Sequence, residues 1–175
     1  LGAITLNNTA GQNVEITEND AIDQAAAWST GPLTLNSNGN SITLTETTNT
    51  FGNLTVSGGT VQITENDAIT DGGAWDVGAV TLDPGGNSIT LNASTNELGA
   101  ITLSNTAGQS VEITENDAIT QAAAWSTGTL TLEAGAGNDI TLDEATNDFT
   151  GAVSIASGND VTLEDANALT LGAVG

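Results

Sequence analysis

Glu18 and Asp20, Glu65 and Asp67, and Glu115 and Asp117 are the residues of this sequence whose type and spacing could do chemistry. Each pair lies in a nonapeptide: VEITENDAI at 14–22 and again at 111–119, VQITENDAI at 61–69, and more loosely VTLEDANAL at 161–169. Carboxylates two residues apart in a turn are hard oxygen donors, and hard oxygen donors suit calcium. The spacing makes these six residues a candidate ladder of weak calcium sites, with no other cofactor indicated. The competing reading is a solvated turn whose Asp and Asn side chains cap their own backbone.

Nothing else in the chain can neutralise these acids. The 175 residues include 22 Asp plus Glu and no Lys, Arg or His, for a net charge of −22. Nucleic acid and anionic membrane are poor partners for such a chain, and neither is expected, because both are bound through Lys and Arg. Without His or Cys there is no Ser-His, Cys-His or thiolate-metal chemistry and no disulfide. A carboxylate pair could still hydrolyse a glycoside, but such a pair must converge in one cleft, whereas these acids recur along the chain. The expectation is a protein that is not an enzyme. Disorder is excluded as well: 38% of residues are hydrophobic and fall in short alternating runs. No apolar run approaches the roughly 18 residues that cross a membrane, so no membrane insertion is expected.

The elements that carry the acids are set by repetition. Residues 1–31 recur at 98–128 with only Asn7 to Ser104, Asn13 to Ser110 and Asp23 to Thr120 changed. Val14, Val61, Val111 and Val161 mark a shorter period, with separations of 47, 50 and 50 residues. The units run 1–50, 51–97, 98–148 and a partial 149–175, read as one repeat domain. The chain opens without Met and inside a unit, as a piece of a longer repetitive chain or filament would.

Within each unit, stretches such as AITL, VEIT, PLTL, SITL and VQIT alternate apolar and polar residues, the pattern of a strand with one buried face. Turn clusters such as NSNGN, DPGGN and SGND separate them. The first apolar residues of equivalent strands, Ile4, Leu33, Leu54, Val80, Ile101, Leu130 and Val153, are spaced 29, 21, 26, 21, 29 and 23 apart. This suggests two unequal turns per unit and about seven turns of a parallel β-helix (β-solenoid), an all-β fold. A β-sandwich does not require near-identical halves, and a propeller blade does not produce the two-turn alternation.

Two turns per unit would set equivalent residues roughly 9.6 Å apart in columns. Trp28, Trp75 and Trp125 would form one column, turned inward because alanine or glycine precedes each. Asn40, Asn87, Asn138 and Asn159, each after Gly, would form another at a corner that needs left-handed backbone. The six carboxylates would form a third. Their crowding would raise their pKa values, so stability would increase as pH falls.

The strings LGAITLNNTAGQ, GAVTLDPGGNSITL and GNDVTLEDANALTLGAV resemble the repeat regions of large bacterial exoproteins of the filamentous haemagglutinin type. The resemblance spans essentially the whole chain. It implies a right-handed β-helix acting as the shaft of an adhesin or fibre at the cell surface or outside the cell. The function expected is therefore a rigid acidic spacer whose partners are further repeats or copies stacked end to end. The alternative is a ligand-binding surface, for divalent cations or, less readily, for ice or carbohydrate. Ice binding would need Thr at matched positions on every turn. Sequons at Asn7, Asn53 and Asn92 matter only in a glycosylating host.

Overall fold

The computed structural model describes residues 2–7 and 9–175. Leu1, where the first unit opens, and Asn8, inside the first sequon, lie outside the described residues. Alternation of apolar and polar side chains produces short strands throughout, with no helix among the described residues. Leu33–Asn36 is typical: Leu33 and Leu35 are buried, while Thr34 between them is exposed. All strand pairings are parallel, and partners stand roughly 20 residues apart in sequence, as in Val14 with Leu33, Ile22 with Ile42 and Ile140 with Val161. The chain is thus a β-solenoid of about eight turns. At ~4.8 Å per turn the rod is about 38 Å long.

Two stacks of strands wall a single core. One stack rises through Ile22–Asp23, Ile42–Leu44, Val61–Thr64, Asp76–Asp83, Ala100–Leu103, Ile119–Gln121, Ile140–Leu142 and Val161–Leu163. The other rises through Val14–Thr17, Leu33–Asn36, Leu54–Ser57, Ile69–Thr70, Ile89–Leu91, Val111–Thr114, Leu130–Glu133, Ala152–Ser157 and Thr170–Val174. The single strand Leu54–Thr64 rounds a corner and belongs to both: its start pairs with Leu33–Asn36 and its end with Ile42–Leu44. Each half-turn of roughly ten residues sends Ile, Leu or Val into one continuous hydrophobic cluster. At ~25 cal/mol per Å² of apolar surface, this burial is the main favourable term.

The solenoid expected from the sequence is present, but its turns are shorter. Leu33 to Leu54, Val80 to Ile101 and Leu130 to Val153 are each one turn, as their direct pairing shows. The longer spacings, from Ile4 to Leu33, from Leu54 to Val80 and from Ile101 to Leu130, cross from one stack to the other and are one and a half turns. A unit is therefore two and a half turns, and the count is about eight in place of seven. Both stacks carry the same alternating pattern, so the sequence alone cannot distinguish a long turn from a turn and a half.

Close stacking at the corners requires glycine. A Cβ on Gly52 would lie 2.6 Å from the carbonyl carbon of Gly31 in the turn before. One on Gly99, whose φ is +56°, would overlap the carbonyl oxygen of Gly78.

Candidate functional site

Because a unit holds an odd number of half-turns, successive copies of the acidic nonapeptide alternate between stacks. Val14 and Val111 lie in one stack, Val61 and Val161 in the other. The single carboxylate column expected from the sequence does not form. Glu18 and Asp20 share a stack with Glu115 and Asp117, but about five turns separate them, roughly 24 Å along the rod. Glu65 and Asp67 lie in the other stack. Among the described residues, no group of three or more carboxylates is placed to hold a metal ion. The geometry therefore lacks the ladder that motivated the calcium sites.

Within each copy, the two acids have opposite surroundings. Inward phase continues past the strand: Val61 and Ile63 point into the core, and so does Glu65. Glu65 is 1% exposed and Glu115 3% exposed. Glu65 Oε1 accepts the backbone N–H of Phe51 at 2.5 Å, and Glu115 Oε2 accepts that of Leu98 at 3.4 Å. The other oxygen of each, Glu65 Oε2 and Glu115 Oε1, is buried with no hydrogen-bond partner. Asp165 repeats the arrangement, its Oδ1 accepting the Phe149 N–H at 3.2 Å. Asp67 and Asp117, by contrast, are exposed, and cap the turn by accepting the N–H of Ala68 and Ala118 at 2.8 and 2.7 Å. Glu18 is half-buried and Asp20 exposed.

Burial pushes the Glu65 carboxyl up to about 8; the Phe51 N–H pulls it down and the Asp67 charge adds a smaller upward push. Glu115 is likewise pushed up to about 8 by burial, against the pull of the Leu98 N–H and with smaller pushes from Asp117 and Glu97. In both, burial favours the uncharged acid. The direction matches the sequence expectation, but the cause is desolvation, not a column of like charges. The exposed Asp139 shifts the other way: the Asn159 amide, and then the Asp160 N–H, hold it below the usual carboxylate range.

Each of these corners is backed by a buried polar node that the sequence reading missed. Asn49, Asn96 and Asn147 are fully buried. Their Oδ1 atoms accept the backbone N–H of Trp28, Trp75 and Trp125, each at 2.8 Å. Their Nδ2 groups donate to the carbonyls of Thr64, Thr114 and Glu164, and to Gln24, Asp71 and Gln121, the latter three each at 3.0 Å. A buried amide with several partners offsets its desolvation, which an Asn in an apolar wall must do. The signal was present: these Asn residues recur 47 and 51 apart, as the tryptophans recur 47 and 50 apart.

The tryptophans are inward, as their small preceding residues suggest, at 1% exposure or less. Their ring N–H groups donate to the carbonyls of Ile4, Leu54 and Ile101, so they alternate between stacks with the units instead of forming one column. The expected asparagine column also resolves differently. Left-handed backbone is taken by Asn38, Gly39, Gly86 and Asn105, not by Asn40 or Asn87. Asn40 and Asn138 donate to carbonyls of their own turn and of the turn before, and Asn159 donates to Asp139.

Comparison with known families assigns the repeat. The chain belongs to the family described as repeats of unknown function (DUF5649), which matches residues 1–57, 48–105 and 98–156. No curated protein and no solved structure matches the chain.

Proposed function

We propose that the chain is a structural shaft: a rigid, acidic, non-enzymatic section of an extracellular or cell-surface fibre of the adhesin type. The observation that carries this reading is the uniformity of the rod. Each of the three full units repeats a buried Trp and a buried Asn, and two of them a buried Glu, so side chains that elsewhere converge on a single site are here distributed once per two and a half turns. Such repetition makes length and needs no cofactor. The resemblance to haemagglutinin-type repeats supports the surface location. With no Lys or Arg, the chain also offers trypsin no cleavage site.

The partners proposed are further repeats or copies stacked end to end. In support, Ile155, Val161, Leu163, Leu169, Leu171 and Val174 line an apolar mouth of about 330 Å³ where the core opens, with Leu171 57% and Val174 62% exposed. An open strand edge beside an apolar mouth favours pairing with another strand.

The experiment has two arms. Solution scattering on chains with one added unit, a second copy of residues 51–97, should show a particle longer by about 12 Å at constant cross-section, two and a half turns at ~4.8 Å. Growth in cross-section would overturn the shaft. Antibody against the repeats should label intact producing cells, and labelling only after lysis would overturn the surface location.

A further inference from the structure

We propose that Glu65 and Glu115 are proton locks: each stays buried against the neighbouring half-turn only as the uncharged acid, and alkaline pH opens the corner by ionising it. The geometry is the basis. Each carboxyl is almost fully buried, ties the backbone N–H that begins a unit (Phe51 or Leu98), and leaves one oxygen with no partner. That oxygen is tolerable as a neutral hydroxyl and costly as half of a charge.

Nothing packed around the corner can neutralise the ionised form. The Asp67 charge in its own turn pushes on Glu65, and the turns before and after bring Glu46 and Asp83 into register with it, the Asp83 carbonyl accepting the Glu65 N–H. The Asp117 and Glu97 charges push on Glu115, and Glu133 in the turn after accepts the Glu115 N–H at its carbonyl. Every charged side chain in the sequence is an acid, so ionisation adds repulsion to desolvation. Water must then enter the corner to reach the oxygen without a partner, which parts the half-turns packed over it even though the N–H of Phe51 or Leu98 still favours the ionised carboxylate. The upward displacement of both acids to about 8 sets the transition in mildly alkaline solution.

The sign follows from linkage. A group that holds its proton more tightly folded than unfolded contributes stability that is complete below its unfolded value and lost as pH rises to its folded one. Ordinary carboxylates are already ionised by pH 6, so their mutual repulsion is constant from pH 6 to 9 and cannot mimic the effect. Two measurements on the whole chain test it. In carbon-13 carboxyl spectra of glutamate-labelled protein, two Glu signals should titrate near pH 8; if all titrate in the ordinary range, the locks do not exist. Thermal melts should show the wild type losing on the order of 10 °C between pH 6 and 9, and the E65Q/E115Q double variant losing almost nothing. Parallel wild-type and variant curves would overturn the proposal. If the double variant does not fold, the carboxyl titration alone decides.

Discussion

VEITENDAI occurs twice letter for letter, at 14–22 and 111–119, and the two copies have different surroundings. Val111 is 2% and Ile113 0% exposed, whereas Val14 and Ile16 are half-buried. Glu115 is buried and Glu18 only half so. Val111–Thr114 pairs on both sides, with Ile89–Leu91 and with Leu130–Glu133, while the strand pairing of Val14–Thr17 is with Leu33–Asn36 on one side. The strand itself therefore supplies only the alternation. Burial, and with it the chemistry of the acid that follows, comes from having a turn on each side, as nearest-neighbour energetics of a solenoid require.

The largest test of this contrast is at the corner glycines. Gly99 stacks on Gly78, while a Cβ added to its repeat equivalent, Gly2, would meet no atom within 4 Å. Gly99→Ala should cost more than ~3 kcal/mol, since it combines overlap with left-handed backbone, and Gly2→Ala should stay within ~0.5 kcal/mol. Chemical denaturation of the two variants reads both. Equal losses would mean that the glycines act through chain flexibility and not through stacking.

Next in size is the same core truncation in the two identical peptides. Ile113→Ala should cost about 2–5 kcal/mol and Ile16→Ala about half that or less, because the cavity left at Ile16 is already partly open. Equal costs in denaturant melts would break the contrast.

Much of this was legible in the sequence. Alternation in PLTL or VEIT identified the strands, the repeat identified the solenoid, and small residues before Trp28, Trp75 and Trp125 identified inward rings. The number of half-turns was not legible, because Leu33 and Val80 carry the same pattern on different stacks. Nor was the burial of Glu65 and Glu115: an acid followed by Asn and Asp has the composition of a solvated turn, although the phase of Val61 and Ile63 pointed inward. Asn49, Asn96 and Asn147 were hidden for a related reason. Asn after Thr or Ser reads as turn chemistry, and only the position of the Trp amide above it shows what it satisfies.

The pH profile sharpens the contrast further. With Glu65 and Glu115 raised from 4.5 to about 8, stability should be full below about 4.5 and fall as pH rises to about 8. Asp139, held low, acts oppositely and loses its contribution as pH falls through its lowered value. Melting temperature should therefore peak in mild acid. Glu115→Gln should flatten the alkaline limb; an unaltered limb would mean that burial does not hold the proton on Glu115.

The smallest effect belongs to the exposed acids. Asp20→Asn and Asp117→Asn should each change stability by less than ~0.5 kcal/mol. Calcium and sodium at equal ionic strength should raise the melting temperature alike, and a calcium-specific rise abolished by these variants would restore a cation site.

A unit of two and a half turns fixes one distance that two turns would not. Gln62 and Glu112 are equivalent residues of successive units and point outward from different stacks. About 12 Å along the rod and about 10 Å across two packed sheets set their backbones roughly 16 Å apart, and spin labels that point outward from opposite faces should lie farther apart still. A narrow distribution near 10 Å would place the two residues in one column two turns apart and contradict the account.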